Sequence, residues 1–212
     1  MMKIKVLACA CGVFAVGAWA PAQVKVEFKP TQVVANSITP GGDAVFFAVA
    51  RERVELGVSV RRWSRVAADD DRDGQVVLDL GGSVPIASVW AVLDLATGQC
   101  SIVSPPDYPY GGSNPFPGGA LQRGGGGRVI GLQLAAESLD ILVVRPGVGA
   151  WRRGANDARP GRTPAGLLAV PVERLQPLGA APEGPGPLAT GDILIGVDPL
   201  FLRPFLERVG FE

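Results

Sequence analysis

Hydrophobic and polar residues alternate along most of the chain, and this pattern predicts β-strands. Val24, Val26 and Phe28 alternate with charged residues as far as Pro30, which is typical of a strand with one buried face. Residues 44–50 are apolar without interruption between turn residues, which predicts a central strand buried on both faces. Similar runs predict further strands at 56–66, 76–80, 88–95, 99–103, 129–134, 139–144, 167–172 and 192–197.

Three local features modify this strand pattern. Arg62 falls on the same parity as the valines of 56–66, which predicts a bulge or bend near this arginine. Gly98 ends a short turn between two strands and is expected in a positive-φ position of a hairpin. Asp198 is followed by a proline and could open a helix, but Pro204 would interrupt it, so only short helical turns are expected there.

Residues 105–128 have a different composition, with proline or glycine at 13 of 24 positions. Proline lacks a ladder donor and glycine loses the most backbone entropy, so this segment is predicted to be a long loop. The pattern as a whole favours an all-β fold, an antiparallel two-sheet sandwich of the Ig-like or jelly-roll-like type. Residues 23–212 are predicted to form one domain, and the alternative is two small β modules, 23–104 and 129–212.

The beginning of the chain has the order of a secretory signal peptide. Lys3 and Lys5 precede an uncharged run at 6–19, and small residues follow up to Ala22. The run is too short to cross a membrane, which takes about 20 apolar residues. We therefore expect residues 1–22 to be cleaved and the remaining chain to be secreted or periplasmic, with no membrane span. The scarcity of lysine relative to arginine favours a bacterial, GC-rich source.

Composition excludes several kinds of chemistry. The chain of 212 residues has no histidine, so no Ser-His-Asp triad and no histidine-ligated metal can form. Cys100 is the single cysteine after residue 22, which rules out an intramolecular disulfide and favours a buried, inert thiol. Residues 23–212 carry 18 basic against 20 acidic side chains without long blocks of either, so nucleic acid is not an expected partner.

An aspartate-rich segment is the best local motif. Asp69, Asp71 and Asp73, followed by a glycine, resemble the D-x-D-x-D-G spacing of EF-hand-type calcium loops, in which alternate side chains converge on a hard cation. By this resemblance, Gln75 would offer its backbone carbonyl. The loop departs from that pattern because its twelfth position is a leucine and its flanks are predicted strands. Asp79 is the candidate replacement for the missing glutamate, and a hydrated turn without Ca²⁺ is the alternative.

These features favour a non-catalytic exported binding or structural module, with calcium as a candidate stabilising ion and a protein or glycan at the cell surface as partner. Tyr108, Tyr110 and Phe116 are candidate contact residues in the long loop. One alternative is a carbohydrate-active enzyme that uses two carboxylates, for which the candidate pairs are Glu52 with Glu55 and Asp192 with Asp198. A second alternative is a subunit of a surface filament or array, joined through the apolar segment 200–211.

Overall fold

The computed structural model describes residues 23–55, 57–106, 121–124, 128–132, 139–153, 167–199 and 202–210. Within these ranges the chain is all-β and antiparallel, with a single 3₁₀ turn at Val172–Arg174 and no α-helix. In this part of the chain no helix has the length and apolarity that a membrane crossing requires. The signal peptide predicted at 1–22 lies outside the described residues.

Fifteen strands lie in the described ranges. In chain order they are β1 (Lys25–Phe28), β2 (Gln32–Asn36), β3 (Asp43–Val54), β4 (Gly57–Ala68), β5 (Gln75–Asp79), β6 (Ser88–Asp94), β7 (Cys100–Val103), β8 (Leu121–Gly124), β9 (Arg128–Leu132), β10 (Asp140–Arg145), β11 (Gly149–Arg153), β12 (Leu167–Pro171), β13 (Leu175–Leu178), β14 (Ile193–Asp198) and β15 (Arg203–Arg208). Every strand predicted from the sequence is present, with small shifts at its ends.

The strands form four antiparallel sheets. Two are three-stranded, with the orders β1-β2-β5 and β12-β9-β8. A four-stranded sheet has the order β4-β3-β6-β7, and a five-stranded sheet has the order β13-β11-β10-β14-β15. The two outer strands of the five-stranded sheet each contain a proline, Pro177 in β13 and Pro204 in β15.

The longest hairpin is formed by β3 and β4. All 12 residues of β3 are paired without interruption, from Asp43 opposite Ala68 to Val54 opposite Gly57. The bulge predicted near Arg62 is therefore wrong. Strand β3 also pairs with β6 along its other edge, and residues 44–50 are all buried, which confirms the predicted central strand.

Two further predictions are wrong, one for the segment 105–128 and one for the chain after Asp198. The segment 105–128 contains β8, because backbone pairing with β9 forms a ladder even at glycine positions. The short helical turns predicted after Asp198 are replaced by β15, which pairs with β14 along its whole length. Gly98 has φ +70°, as predicted for the hairpin between β6 and β7.

The core consists of three clusters of buried apolar side chains. The first combines residues of the four-stranded sheet, such as Val45 and Val49, with residues of the five-stranded sheet, such as Leu142 and Ile195. The second covers the opposite face of the five-stranded sheet, and the third, around Trp90, joins the four-stranded sheet to β1, β2 and β5. The four-stranded sheet is thus buried on both faces, and each large apolar side chain contributes about 1.5–3 kcal/mol to folding.

Candidate metal centre and neighbouring charged groups

The aspartate-rich loop joins β4 to β5 and rests on the turn between β2 and β3. The amide of Asp69 donates to the carbonyl of Gly42 (2.9 Å), and the amide of Ile38 donates to the carbonyl of Gly74 (3.0 Å). Arg72 and Gly74 have φ of +63° and +77°, so the chain makes a tight reversal here. A Cβ at Gly74 would lie 3.2 Å from the Ile38 carbonyl oxygen, and this close approach favours glycine.

The loop brings Asp69, Asp71 and Asp73 together. One carboxylate oxygen of each lies within 4.8 Å of the others. Asp71 and Asp73 are exposed, whereas Asp69 is 3% exposed. The Oδ2 atom of Asp69 accepts hydrogen bonds from the amides of Gly41 (3.0 Å) and Gly74 (2.9 Å). Its Oδ1 atom is buried and accepts no hydrogen bond from any described residue.

The three carboxyl groups influence one another's protonation. Burial disfavours the charged form of Asp69, but hydrogen bonds from the amides of Gly41 and Gly74 outweigh it and hold the pKa of Asp69 below its ordinary value. The amide of Asp73 favours the Asp71 carboxylate, yet contact with the Asp69 carboxyl and repulsion by Asp73 raise the pKa of Asp71 above its ordinary value. The charged form of Asp69 is therefore favoured, whereas the charged form of Asp71 is disfavoured by the neighbouring carboxyl groups of Asp69 and Asp73.

The donor set fits a hard cation. Carboxylate oxygens are the ligands that Ca²⁺ and Mg²⁺ prefer, and neither a thiolate nor an imidazole is present in the cluster. The exposed sides of Asp71 and Asp73 leave room for water, which can complete a shell of six to eight ligands. Asp69 would supply a rigid buried ligand, because its other oxygen is already held by two backbone amides.

Of the other two predicted ligands, Gln75 lies beside the cluster and Asp79 lies away from it. The backbone amide of Gln75 donates to Asp73 Oδ1 (2.7 Å), and its side-chain amide donates to Asn36 Oδ1 (2.8 Å), so its side chain points to β2. Asp79 ends β5, roughly 13 Å along the strand from Gln75, and accepts a hydrogen bond from the amide of Gly81 (2.8 Å). The structure does not bring Asp79 to the three clustered aspartates.

The candidate catalytic acids lie in different surroundings. Glu52 is bound to Arg61 (2.8 Å), and Glu55 is exposed in the turn after β3. Asp192 immediately precedes β14 and Asp198 ends it, so the two lie roughly 20 Å apart by the rise of an extended strand. A pair of glycosidase carboxylates stands about 5–9.5 Å apart.

A partly buried ion pair that sequence reasoning missed joins the two largest sheets. Arg62 Nε on β4 donates to Asp140 Oδ1 on β10 at 2.5 Å, and Asp140 is 8% exposed. The other oxygen of Asp140 is buried without a hydrogen-bond partner among the described residues, as are the Nε atoms of Arg51 and Arg152. The available signal was the parity of Arg62 with the inward valines of its strand, which indicates an inward-facing arginine and not a bulge.

Trp63 on β4 has a structural role. The guanidinium of Arg61 lies 4.9 Å from the ring centroid of Trp63, and Trp63 stacks on the buried Trp90 at 5.7 Å. Trp90 in turn donates its indole N–H to Ser88 Oγ (2.8 Å). The loop aromatics Tyr108, Tyr110 and Phe116 lie outside the described residues.

Comparison with known proteins assigns no family. No protein-family model, no curated protein and no solved structure matches the chain. Its function is therefore inferred from its own residues.

Proposed function

We propose that this chain is a non-catalytic exported binding or structural module whose fold is stabilised by a calcium ion bound to Asp69, Asp71 and Asp73. The observation that carries the proposal is the buried Oδ1 atom of Asp69, which accepts no hydrogen bond from any described residue and lies beside two exposed carboxylates. A buried anionic oxygen without a donor is unfavourable, and a cation held by all three aspartates would satisfy it.

An extracellular location favours calcium over magnesium as the ion. Extracellular calcium modules bind with dissociation constants on the order of 10⁻⁴–10⁻³ M, which matches the calcium concentrations outside cells. Mg²⁺ demands near-ideal octahedral geometry and dehydrates reluctantly. A site with three protein carboxylates and an open side is better suited to the larger and more adaptable ion.

The bound ion would hold two turns of the chain together. Asp69 already ties the turn at Gly41 to the loop at Gly74 through its Oδ2 atom. An ion would neutralise the repulsion that Asp71 experiences from Asp69 and Asp73. The expected result is a more stable β4–β5 connection, with no chemical step performed by the metal.

We also propose that residues 23–212 form one sandwich domain in which the four-stranded sheet packs on the five-stranded sheet. The first core cluster supports this arrangement because it contains residues from both sides of the segment 105–128. The antiparallel pairing throughout is compatible with either an Ig-like or a jelly-roll-like strand order. A non-catalytic role is favoured because Glu52 and Asp192 are each bound to an arginine.

Thermal unfolding of the purified chain, first in chelator and then in 10 mM calcium chloride, tests the calcium proposal. Ligand at 100 times its dissociation constant stabilises a protein by about 2.7 kcal/mol. For a domain of this size that corresponds to a rise in Tm of roughly 5–10 °C. The same concentration of magnesium chloride should give a smaller rise.

Two matched variants locate the ion. Asp71→Asn should abolish the calcium-induced rise in Tm, because it removes an exposed ligand without disturbing the hydrogen bonds of Asp69. Asp79→Asn, at the far end of β5, should leave the rise unchanged. A Tm that does not respond to calcium, or an equal response in Asp71→Asn, would contradict the proposal.

A further inference from the structure

Gln23 lies at the boundary between the predicted signal peptide and the folded domain. It is exposed, and it forms no hydrogen bond with the described part of the chain. The next residue, Val24, is 2% exposed and belongs to the third core cluster. The backbone carbonyl of Val24 accepts a hydrogen bond from the hydroxyl of Ser101, which is itself buried. Val24 is therefore held by the core, whereas the side chain of Gln23 is free to rotate.

The sequence before Gln23 fits cleavage of the bond between Ala22 and Gln23. Ala20 and Ala22 form the pair of small residues that precedes the cut in secretory signal peptides. Cleavage after Ala20 would instead leave Pro21 as the first residue, and signal peptidases disfavour proline at that position. A cut after Ala22 falls just outside the third core cluster, whose first described residue is Val24. Such a cut makes Gln23 the N-terminal residue of the exported chain.

An N-terminal glutamine carries both groups that are needed to form a lactam. A bond between its α-nitrogen and its side-chain amide carbon closes a five-membered ring. The α-amine has an ordinary pKa of about 7.7–8.0, so roughly a tenth of it is uncharged and nucleophilic at neutral pH. In the described part of the chain no hydrogen bond restrains Gln23 against the rotation that closes the ring.

We infer that Gln23 is a modification site, at which the exported chain cyclises to an N-terminal pyroglutamate. The α-nitrogen forms a bond to Cδ of the side chain, and the bond between Cδ and Nε2 breaks. Nε2 takes up the proton that the α-amine loses and leaves as ammonia. The step consumes no oxidant, reductant or second substrate. Its product has a neutral amide in place of a positively charged terminus.

The modification protects the attachment of β1 to the core. Exposed termini are preferred sites of proteolysis, and aminopeptidases act on a free α-amine. Removal of Gln23 followed by Val24 would delete a core side chain and the carbonyl that accepts the hydrogen bond from Ser101. A lactam at Gln23 blocks the first of these two steps, so the chain outside the cell keeps its complete first strand.

This inference rests on the export proposed above, because the α-amine of Gln23 exists only after the signal peptide has been removed. The full-length chain is expressed in a bacterium, recovered from outside the cytoplasm and incubated at neutral pH for several days before its intact mass is measured. The mass of residues 23–212 less one ammonia is expected. The full mass of 23–212, or that of 21–212, would overturn the inference and leave export standing. An unprocessed chain of 1–212 would contradict both.

Counting amines gives a second readout, since Lys25 and Lys29 are the only lysines in residues 23–212. Exhaustive acetylation of the processed, unfolded chain should add two acetyl groups if Gln23 is cyclised, and three if its α-amine is free. Gln23→Asn is the matched control, because its shorter side chain would have to close a strained four-membered ring. This variant should be cut at the same bond and take up three acetyl groups. A blocked terminus in both chains would overturn the assignment to a glutamine lactam.

Discussion

Arg145 holds Asp192 in a bidentate ion pair on the five-stranded sheet. Its Nε and Nη2 atoms donate to Oδ1 and Oδ2 of Asp192, each at 2.8 Å, and Asp192 is 1% exposed. The same guanidinium donates to the carbonyls of Pro185 (2.9 Å) and Pro187 (3.0 Å), while the amide of Ala189 donates to Asp192 (2.8 Å). The hydrogen bond to Asp192 also raises the pKa of Arg145. One ion pair therefore anchors the loop between β13 and β14.

Removing only the cation of this pair should be strongly destabilising. Arg145→Leu leaves the buried Asp192 charge without its partner, and we expect the free energy of unfolding to fall by about 3–5 kcal/mol. The double variant Arg145→Leu with Asp192→Leu should lose less than the sum of the two single variants, because no unpaired charge remains. Urea unfolding of the four proteins measures the coupling. Additive losses would show that the pair contributes no specific stability.

Gly98 and Gly147 allow a test of close packing at matched backbone conformation. Their φ angles are +70° and +73°. A Cβ at Gly98 would lie 2.6 Å from Pro146 Cγ and 2.8 Å from Ile193 Cδ1, whereas a Cβ at Gly147 meets nothing within 4 Å. Both alanine variants should lose about 1–2 kcal/mol for the left-handed backbone. Gly98→Ala should lose about 1–3 kcal/mol more through overpacking, and equal losses in urea unfolding would contradict this packing.

The thiol of Cys100 should be unreactive in the folded protein. Cys100 is partly and not fully buried, and burial of its thiol raises its pKa from 9.0 to about 12, although Arg208 acts in the opposite direction. At pH 8 the thiolate fraction, and with it the rate of alkylation, should be roughly 1,000-fold lower than in the unfolded chain. Peptide mapping after iodoacetamide treatment, with and without urea, measures this ratio. Rapid labelling of the native protein would show that the side chain is accessible.

The same shift predicts a loss of stability in alkali. The unfolded chain releases the proton of Cys100 near pH 9, whereas the folded chain retains it up to about pH 12. The contribution of Cys100 to stability is therefore complete below pH 9 and decreases as the pH rises towards 12. Cys100→Ser should flatten the fall in Tm over this window, because serine does not titrate there. An unchanged slope would assign the alkaline loss to other groups.

Calcium stabilisation should weaken in mild acid. Protons compete with the ion for Asp71, whose pKa is raised above its ordinary value of 3.8. The calcium-induced rise in Tm should be constant at neutral pH and shrink as the pH falls through the raised pKa of Asp71. Without calcium, ionised Asp71 destabilises the fold, so its protonation should favour folding over the same window. Asp69, with a lowered pKa, stabilises the fold above 3.8, and this contribution is lost only at still lower pH.

Melting curves from pH 4 to pH 7, with calcium and with chelator, measure this competition. Asp71→Ser is the matched control, since serine has no carboxyl group to titrate and should give curves that respond little to calcium at any pH. A calcium effect that is equally large at pH 4 and pH 7 would contradict a role for Asp71 as a ligand.

The strands predicted from the sequence either alternate buried and exposed residues, as β5 does, or are buried throughout, as β6 is. Strands β2, β8, β11 and β13 were missed: β2 has only three consecutive apolar residues, β8 lies in a glycine-rich segment, and β11 and β13 combine few apolar residues with Arg152 or Pro177. Their strand character comes from pairing with longer neighbours, which no local pattern shows. Strand β15 was mistaken for helical turns because Pro204 was interpreted as a helix breaker, whereas an outer strand also tolerates proline.

The candidate metal centre was predictable because its three carboxylates lie within five residues of one another. The hydrogen bond from Gly41 to Asp69 was not predictable, since it depends on how the turn between β2 and β3 packs on the loop. Asp79 was included by its nearness in sequence, but an extended strand carries it away from the cluster. The contact of Arg62 with Asp140, 78 residues apart in the chain, depends on the packing of two sheets.

The prolines in the outer strands of the five-stranded sheet bear on self-association. Pro177 in β13 and Pro204 in β15 have no N–H group to offer to an additional strand. A strand from another molecule would meet a gap in the donor row at either edge, so this sheet is a poor template for continuous growth by strand addition. Phe205, in the segment considered for filament contacts, is buried in the second core cluster of its own chain. Any regular array of these molecules would therefore have to be held together by side-chain surfaces and not by a shared backbone ladder across these edges.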